Sequence, residues 1–165
     1  MSHVDPKKLL RELQNLPTEN EWVEFKENKG APEDIGQYIS ALANTARIKA
    51  QPFGYMVWGI DDQTHRIVGT SFIPTKAKKG NEQLENWLVR LLTPRLDIRF
   101  YDLTVEEKQV VILEIPAALH TPVRFEGQKF IRVGSLTKKL KDYPEKEREL
   151  WSILTASNFE QGTAK

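Results

Sequence analysis

Cysteine is absent from the 165 residues of this chain, which excludes disulfides, a thiol nucleophile and every cysteine-ligated zinc or iron–sulfur centre. Histidine is scarce. His3, His65 and His120 are the complete set, and none of them stands at metal-ligand spacing from another. His65 reads as a turn residue and His120 as a loop residue, both exposed and incidental. No apolar run approaches the ~20 residues of a membrane-spanning helix. The start, Met1-Ser2-His3-Val4-Asp5-Pro6-Lys7-Lys8, leads into no apolar signal core. The expectation is a soluble, cytoplasmic protein with no membrane partner. Large net charge is missing too, at +1, so the chain as a whole is not a polycation. Three catalytic templates are absent: the Gly-x-Ser-x-Gly elbow, the Walker A loop and Gly-x-Gly-x-x-Gly.

What is present is a globular composition, with 39% hydrophobic residues and four Trp, enough for one domain with one core. Asp5 caps a helix with Pro6 at its first position, and Leu9, Leu10, Leu13 and Leu16 recur at helical spacing before Pro17 ends it. Trp22 to Lys26 reads as a strand with Val23 and Phe25 on one face and Trp22, Glu24 and Lys26 on the other. A helix starts near Pro32, with Glu33 and Asp34 in its first turn, and buries Ile35, Ile39, Leu42 and Ala43. Residues 47–53 read as a loop, Gly54 to Ile60 as an apolar strand, and Asp61-Asp62-Gln63-Thr64 as a turn. A third helix is expected over 81–92, stopped by Pro94. Strands follow over 97–105 and 109–115, then two short strands joined by Glu126-Gly127. A last helix from Pro144 is expected to bury Leu150, Trp151 and Leu154. The expected fold is α+β, a mixed and mostly antiparallel sheet with flanking helices. Its divisions are an N-terminal helix over 1–18, the main domain over 19–157 and a loose polar tail over 158–165.

Charge is unevenly spread. Between Thr121 and Lys141 the bases Arg124, Lys129, Arg132, Lys138, Lys139 and Lys141 face Glu126 alone, six against one, a local +5. Such a run suits a phosphate backbone. Ser135 and Thr137 lie within it, and Gly134-Ser135-Leu136-Thr137 follows a strand, so its small residues, hydroxyls and neighbouring ammonium groups could also grip a single phosphate. Lys76, Lys78 and Lys79 form a smaller run that reads as a solvated face.

Acids cluster at Glu19, Glu21 and Glu24, and again where Gly59-Ile60-Asp61-Asp62 ends a strand. Carboxylates brought together repel unless a cation or proton compensates them. An oxygen-only set favours a hard ion, Mg²⁺ or Mn²⁺, which can activate water or polarise a phosphodiester. Lys26, beside Glu24, could stabilise developing charge. Read from spacing alone, the same residues also fit a charged surface and an Asp-made hairpin turn. Both readings stay open at this point.

Four blocks in order, Glu19-x-x-x-x-Glu24-Phe25-Lys26, Ala41-Leu42-Ala43-Asn44-Thr45, Gly59-Ile60-Asp61-Asp62 with Val68-Gly69, and Phe130-Ile131-Arg132-Val133-Gly134-Ser135-x-Thr137, resemble the Schlafen AlbA_2 domain family. The resemblance runs from about Glu19 to Thr137. It implies an α+β nucleic-acid-binding domain. In the family's metal-dependent endoribonucleases, which cut structured RNA such as tRNA, three carboxylates form the active site. By motif position these correspond to Glu19, Glu24 and Asp62, with Asp61 as the alternative and Mg²⁺ or Mn²⁺ as cofactor. The segment from Arg132 to Lys139 corresponds to a basic RNA-facing stretch. The chain departs from the pattern in two places. Asn20 replaces a small hydroxyl residue, and 46–53 is a longer, basic loop where the family has a Gly-Gly pair. The nuclease members pair two such lobes, so a comparable groove here requires a homodimer. The resemblance also fits a domain within a longer regulatory protein. The leading expectation is thus a nucleic-acid-binding domain, RNA favoured over DNA, with metal-dependent endoribonuclease activity. The alternatives are a non-catalytic DNA-binding regulatory module and, behind it, a nucleotide site at Gly134–Lys139.

Overall fold

The computed structural model describes residues 5–17 and 20–163, with side chains through residue 156. The first helix, α1 (Pro6–Gln14), has Asp5 as N-cap, its carboxylate accepting from the Lys7 amide, and buries Leu9, Leu10 and Leu13. It is followed by β1 (Val23–Lys26), α2 (Pro32–Ile48) and β2 (Phe53–Trp58). The basic loop expected from Arg47 begins later, because α2 runs through Ile48.

Next come a two-residue hairpin, β3 (Lys78–Lys79) and β4 (Glu82–Gln83), and then α3 (Leu84–Leu91). The helix expected from Asn81 therefore starts three residues later, since Gly80 at φ +62 turns the chain and Glu82 and Gln83 pair with the lysines. After β5 (Leu92–Thr93) come β6 (Arg99–Val105) and β7 (Lys108–Pro116). Glu106 and Glu107 join β6 to β7, both at positive φ, the backbone of a tight hairpin turn. Then follow β8 (Arg124–Phe125), β9 (Gln128–Val133), β10 (Leu136–Lys139) and α4 (Pro144–Thr163). The stretch read from sequence as a possible phosphate-gripping loop is largely strand, because Gly134 at φ +62 folds β10 back on β9. The last helix continues through Thr163, past the Asn158 where the tail was placed.

Apart from the β3–β4 hairpin, the described strands form two four-stranded sheets rather than one. The first has the order β1-β2-β7-β6 and the second β10-β9-β8-β5. Only β1 and β2 run parallel; the other pairs are antiparallel. Alternation sorts the side chains of the first sheet. Val23, Phe25, Tyr55, Val57, Val110 and Ile112 pack under α1, whereas Met56, Trp58, Val111, Leu113 and Ile115 face α2. Helix α2 thus lies between the sheets. Two glycines let it approach: a Cβ on Gly54 would sit 2.8 Å from the Leu42 carbonyl oxygen, and one on Gly36 would sit 2.2 Å from the Phe125 ring.

Helix α2 also carries a buried polar stripe. Ser40, Asn44 and Thr45 are at most 2% exposed. Ser40 Oγ donates to the Val123 carbonyl and accepts from the Phe130 amide. Asn44 donates to the carbonyls of Val123 and Phe130 and accepts from the Val123 amide. Thr45 Oγ1 accepts from the Arg132 amide at 3.0 Å. Along Phe130–Arg132, then, helix side chains stand where a neighbouring strand would, and satisfy the side of β9 turned away from β10. In α4, Leu150 and Leu154 are buried as expected, but Trp151 is 38% exposed. No helix among the described residues is long and apolar enough to cross a membrane.

Candidate functional site

Glu24 sits in β1 on the face turned toward α2, level with Met56. Its carboxylate accepts from the Arg132 guanidinium through Oε1, and Lys26 Nζ lies 3.6 Å from Oε2. Among the described residues Arg132 is the most deeply buried base, its side chain 1% exposed against 13% for Glu24. Its Nη1 donates to Thr137 Oγ1 at 3.1 Å, while Nε has no hydrogen-bond partner among the described residues. The Tyr38 ring completes the cluster, with Lys26 Nζ 5.0 Å and Arg132 Cζ 5.4 Å from its centroid. Burial alone depresses the Lys26 ammonium, but Tyr38 and Glu24 outweigh it and hold its pKa above the ordinary lysine value.

The expected RNA-facing role of Arg132 is therefore corrected. The residue is a buried counter-ion to Glu24 and has no access to a phosphate backbone. Thr137 Oγ1 accepts from Arg132 Nη1 and so belongs to the same internal cluster. Lys129 is ion-paired to Glu147 of α4. Of the basic run, Arg124, Lys138, Lys139 and Lys141 stay exposed, as does Ser135. The Gly134 amide, which could have served an outside phosphate, donates to Glu21 Oε2 at 2.6 Å, and Lys49 holds the other oxygen at 3.2 Å.

That arrangement gives Glu21 a pH signature. Burial pushes its carboxyl up, but the Gly134 amide and the Lys49 and Lys146 charges outweigh burial and hold its pKa below the ordinary glutamate value. A depressed folded pKa adds stability that is complete above the unfolded value and is lost as pH falls through the folded one. Stability is expected to decline below about pH 4.5, and Glu21→Gln should flatten that decline in urea titrations across pH 3 to 6.

The second acid block behaves as turn chemistry at Asp61. Its Oδ2 accepts from the Gln63 and Thr64 amides and the Thr64 hydroxyl, and these bonds, the Thr64 amide first, keep its pKa low. Asp62 is exposed on the same turn. This turn docks under α1: His65 Nδ1 lies 3.0 Å from the Gln14 carbonyl, and its ring packs tilted against Phe25 with centroids 4.3 Å apart. His65 is 6% exposed, so the reading of an exposed, incidental histidine is corrected. Phe25 and Glu24 point to opposite faces of the first sheet, and the turn meets the sheet on the Phe25 side. Glu19 lies outside the described residues. Among those described, no three Asp, Glu or His side chains gather to hold a metal ion. Glu24 already has a cation at each oxygen, so its described surroundings do not fit an added Mg²⁺ or Mn²⁺.

Sequence reasoning missed Tyr38 and Ser40, and it saw Glu21 as one acid of a cluster without its partners Gly134 and Lys49. Of the two missed, only Ser40 left a signal, as a hydroxyl on the otherwise apolar side of a helix.

Two small sheets clasping a polar-striped helix, with a buried arginine–glutamate pair between them, define an α+β module. The family described as "Schlafen, AlbA_2" matches residues 19–141. The chain belongs to that family. Among solved structures, the DIP2311 protein from Corynebacterium diphtheriae is similar at 20% identity and a TM-score of 0.52, over 81% of this chain and 25% of that one. The N-terminal domain of a putative ATP-dependent DNA helicase RecG-related protein from Nitrosomonas europaea is similar at 21% identity and a TM-score of 0.51, over 82% of this chain and 93% of that one. The likeness is one of fold, and this chain spans a quarter of the Corynebacterium protein's length. No curated protein matches it.

Proposed function

We propose that the domain binds nucleic acid, RNA in preference to DNA, through the exposed bases on and beside the edge strand β10. The observation that carries this reading is the sorting of the basic run. Arg132 and Lys129 have internal carboxylate partners, while Arg124, Lys138, Lys139 and Lys141 remain exposed. Adjacent residues on a strand point to opposite faces, so Lys138 and Lys139 project on either side of the β10 edge. A phosphate backbone running along that edge meets both. Family membership and the resemblance to a domain of a DNA-helicase-related protein support a nucleic-acid role. The preference for RNA rests on the resemblance of the acid blocks to those of endoribonucleases.

Binding of a labelled tRNA and of duplex DNA should weaken steeply with salt. Lys138→Ala and Lys139→Ala are each expected to reduce the log–log salt slope by about one while weakening all sequences alike. A slope unchanged in the double variant would remove this surface from the interface. Cleavage is tested in the same assay with Mn²⁺ or chelator. Loss of Mn²⁺-dependent cleavage in Asp62→Asn, with binding kept, would make Asp62 part of a catalytic site. Binding with no cleavage by either protein leaves a binding module. Asp62 is the better probe, since Glu24 is tied to Arg132.

A further inference from the structure

A pocket between α1 and the start of β2 differs chemically from the rest of the surface. Trp22, Phe53 and Tyr55 line it, and none of these is used by the basic edge. Phe53 and Tyr55 are two apart on one strand and so share a face. Trp22 comes alongside because the Tyr55 amide donates to its carbonyl at 3.0 Å. The Trp22 and Tyr55 centroids are 6.4 Å apart with the rings inclined at 56°, and those of Phe53 and Tyr55 are 6.2 Å apart at 47°. Rings set at such angles form walls rather than a stack. The cavity they border is about 210 Å³, lined on the helix side by Leu9, Glu12 and Leu13, with Leu16 and Gln51 also bordering it.

Its electrostatics are one-sided. The chain carries 24 Lys and Arg, yet among the described residues no lining side chain is basic, and the one charged group is the Glu12 carboxylate. Aromatic faces are negative and attract cations within ~6 Å of their centroids. A bare metal ion would find one carboxylate and one amide here, too few oxygens for a hard cation. A primary ammonium is strongly hydrated and loses much on entering an apolar pocket. An ammonium whose hydrogens are replaced by methyl groups meets both demands, offering apolar surface to the rings and positive charge to their faces and to Glu12.

We propose that this pocket binds an alkylated ammonium group, the trimethylammonium head of a choline-like molecule or of a methylated lysine side chain. Three rings select the methyl surface, and the exposed Glu12 at the helix selects the charge. The site is independent of the nucleic-acid edge and stands or falls apart from it.

The test is NMR titration of the Trp22 indole N–H with choline, with its uncharged carbon isostere dimethylbutanol, and with acetylated trimethyllysine amide. Choline or the trimethyllysine amide should shift the resonance saturably and bind about tenfold more tightly than dimethylbutanol. Glu12→Gln lies on an exposed helix face, so the fold is retained. It should weaken the charged ligands by about threefold and leave dimethylbutanol unchanged. The tighter of the two charged ligands identifies the source as a small molecule or a lysine side chain, and equal binding supports the shared group. Dimethylbutanol binding as tightly as choline would reduce the pocket to an ordinary apolar cleft. No shift by either charged ligand at saturating concentration would overturn the proposal.

Discussion

Glu24→Ala is expected to lower the stability of the domain by about 3–5 kcal/mol, the cost of leaving one member of a buried ion pair alone. The reason lies in Arg132, whose side chain is 1% exposed and whose only ion-pair partner among the described residues is Glu24. Removing the carboxylate strands a guanidinium that cannot reach water and already has one unpartnered nitrogen. The Tyr38 face remains, but a cation–π contact offsets only ~1–2 kcal/mol of such a loss. Lys26 would add to the excess positive charge. Urea unfolding reads the effect. Because the penalty comes from the orphaned charge, Glu24→Leu combined with Arg132→Met should be markedly more stable than either change alone. A Glu24→Ala variant within ~1 kcal/mol of the parent would mean that the pair is screened as if exposed. One practical consequence concerns activity assays. Loss of function in a Glu24 variant would reflect a damaged fold as readily as a missing catalyst.

Asn44→Ala should be nearly as damaging. Its side chain makes three hydrogen bonds, to the Val123 carbonyl at 3.0 Å, the Phe130 carbonyl at 2.8 Å and the Val123 amide at 2.8 Å. Ser40 still serves the Val123 carbonyl in the variant. The Val123 amide and the Phe130 carbonyl would be left buried without partners, at about 1–3 kcal/mol each. The methyl of alanine fills less of the space, so a small cavity adds to the loss. For a domain of this size the sum corresponds to a fall in Tm of roughly 10 °C. Thermal denaturation followed by circular dichroism checks it. A fall of only a degree or two would show that water enters to replace the amide.

Local chemistry made most of the elements legible before the structure was known. Asp5 with Pro6 announces α1, the alternation Val23-Glu24-Phe25-Lys26 announces β1, and Glu126-Gly127 announces a hairpin. The strand β10 was hidden because Leu136-Thr137-Lys138-Lys139 has no apolar face. It is held by pairing with β9 instead. The family likeness read from four motif blocks is the one the chain has.

The candidate site was legible only as a list of charges. Glu24 and Arg132 are 108 residues apart, and no periodicity links them. Sequence presents Glu24 as one acid among several in want of a cation. The fold supplies two cations from its own side chains. His65 was misjudged for a similar reason, since only the docking of its turn against Phe25 and Gln14 removes it from solvent.

The polar stripe of α2 has a consequence for how the chain is made. Its partners lie 79 to 90 residues further on, in 123–132. During synthesis, α2 emerges with Ser40, Asn44 and Thr45 facing nothing, and waits for 79 to 90 further residues before the segment they bind is made. Every one of these closures spans a long loop, so little entropy is recovered early and much at the end. A nascent chain stopped before residue 123 therefore presents a helix with an unfinished polar seam beside an apolar sheet. That is a state in which a chaperone has something to hold.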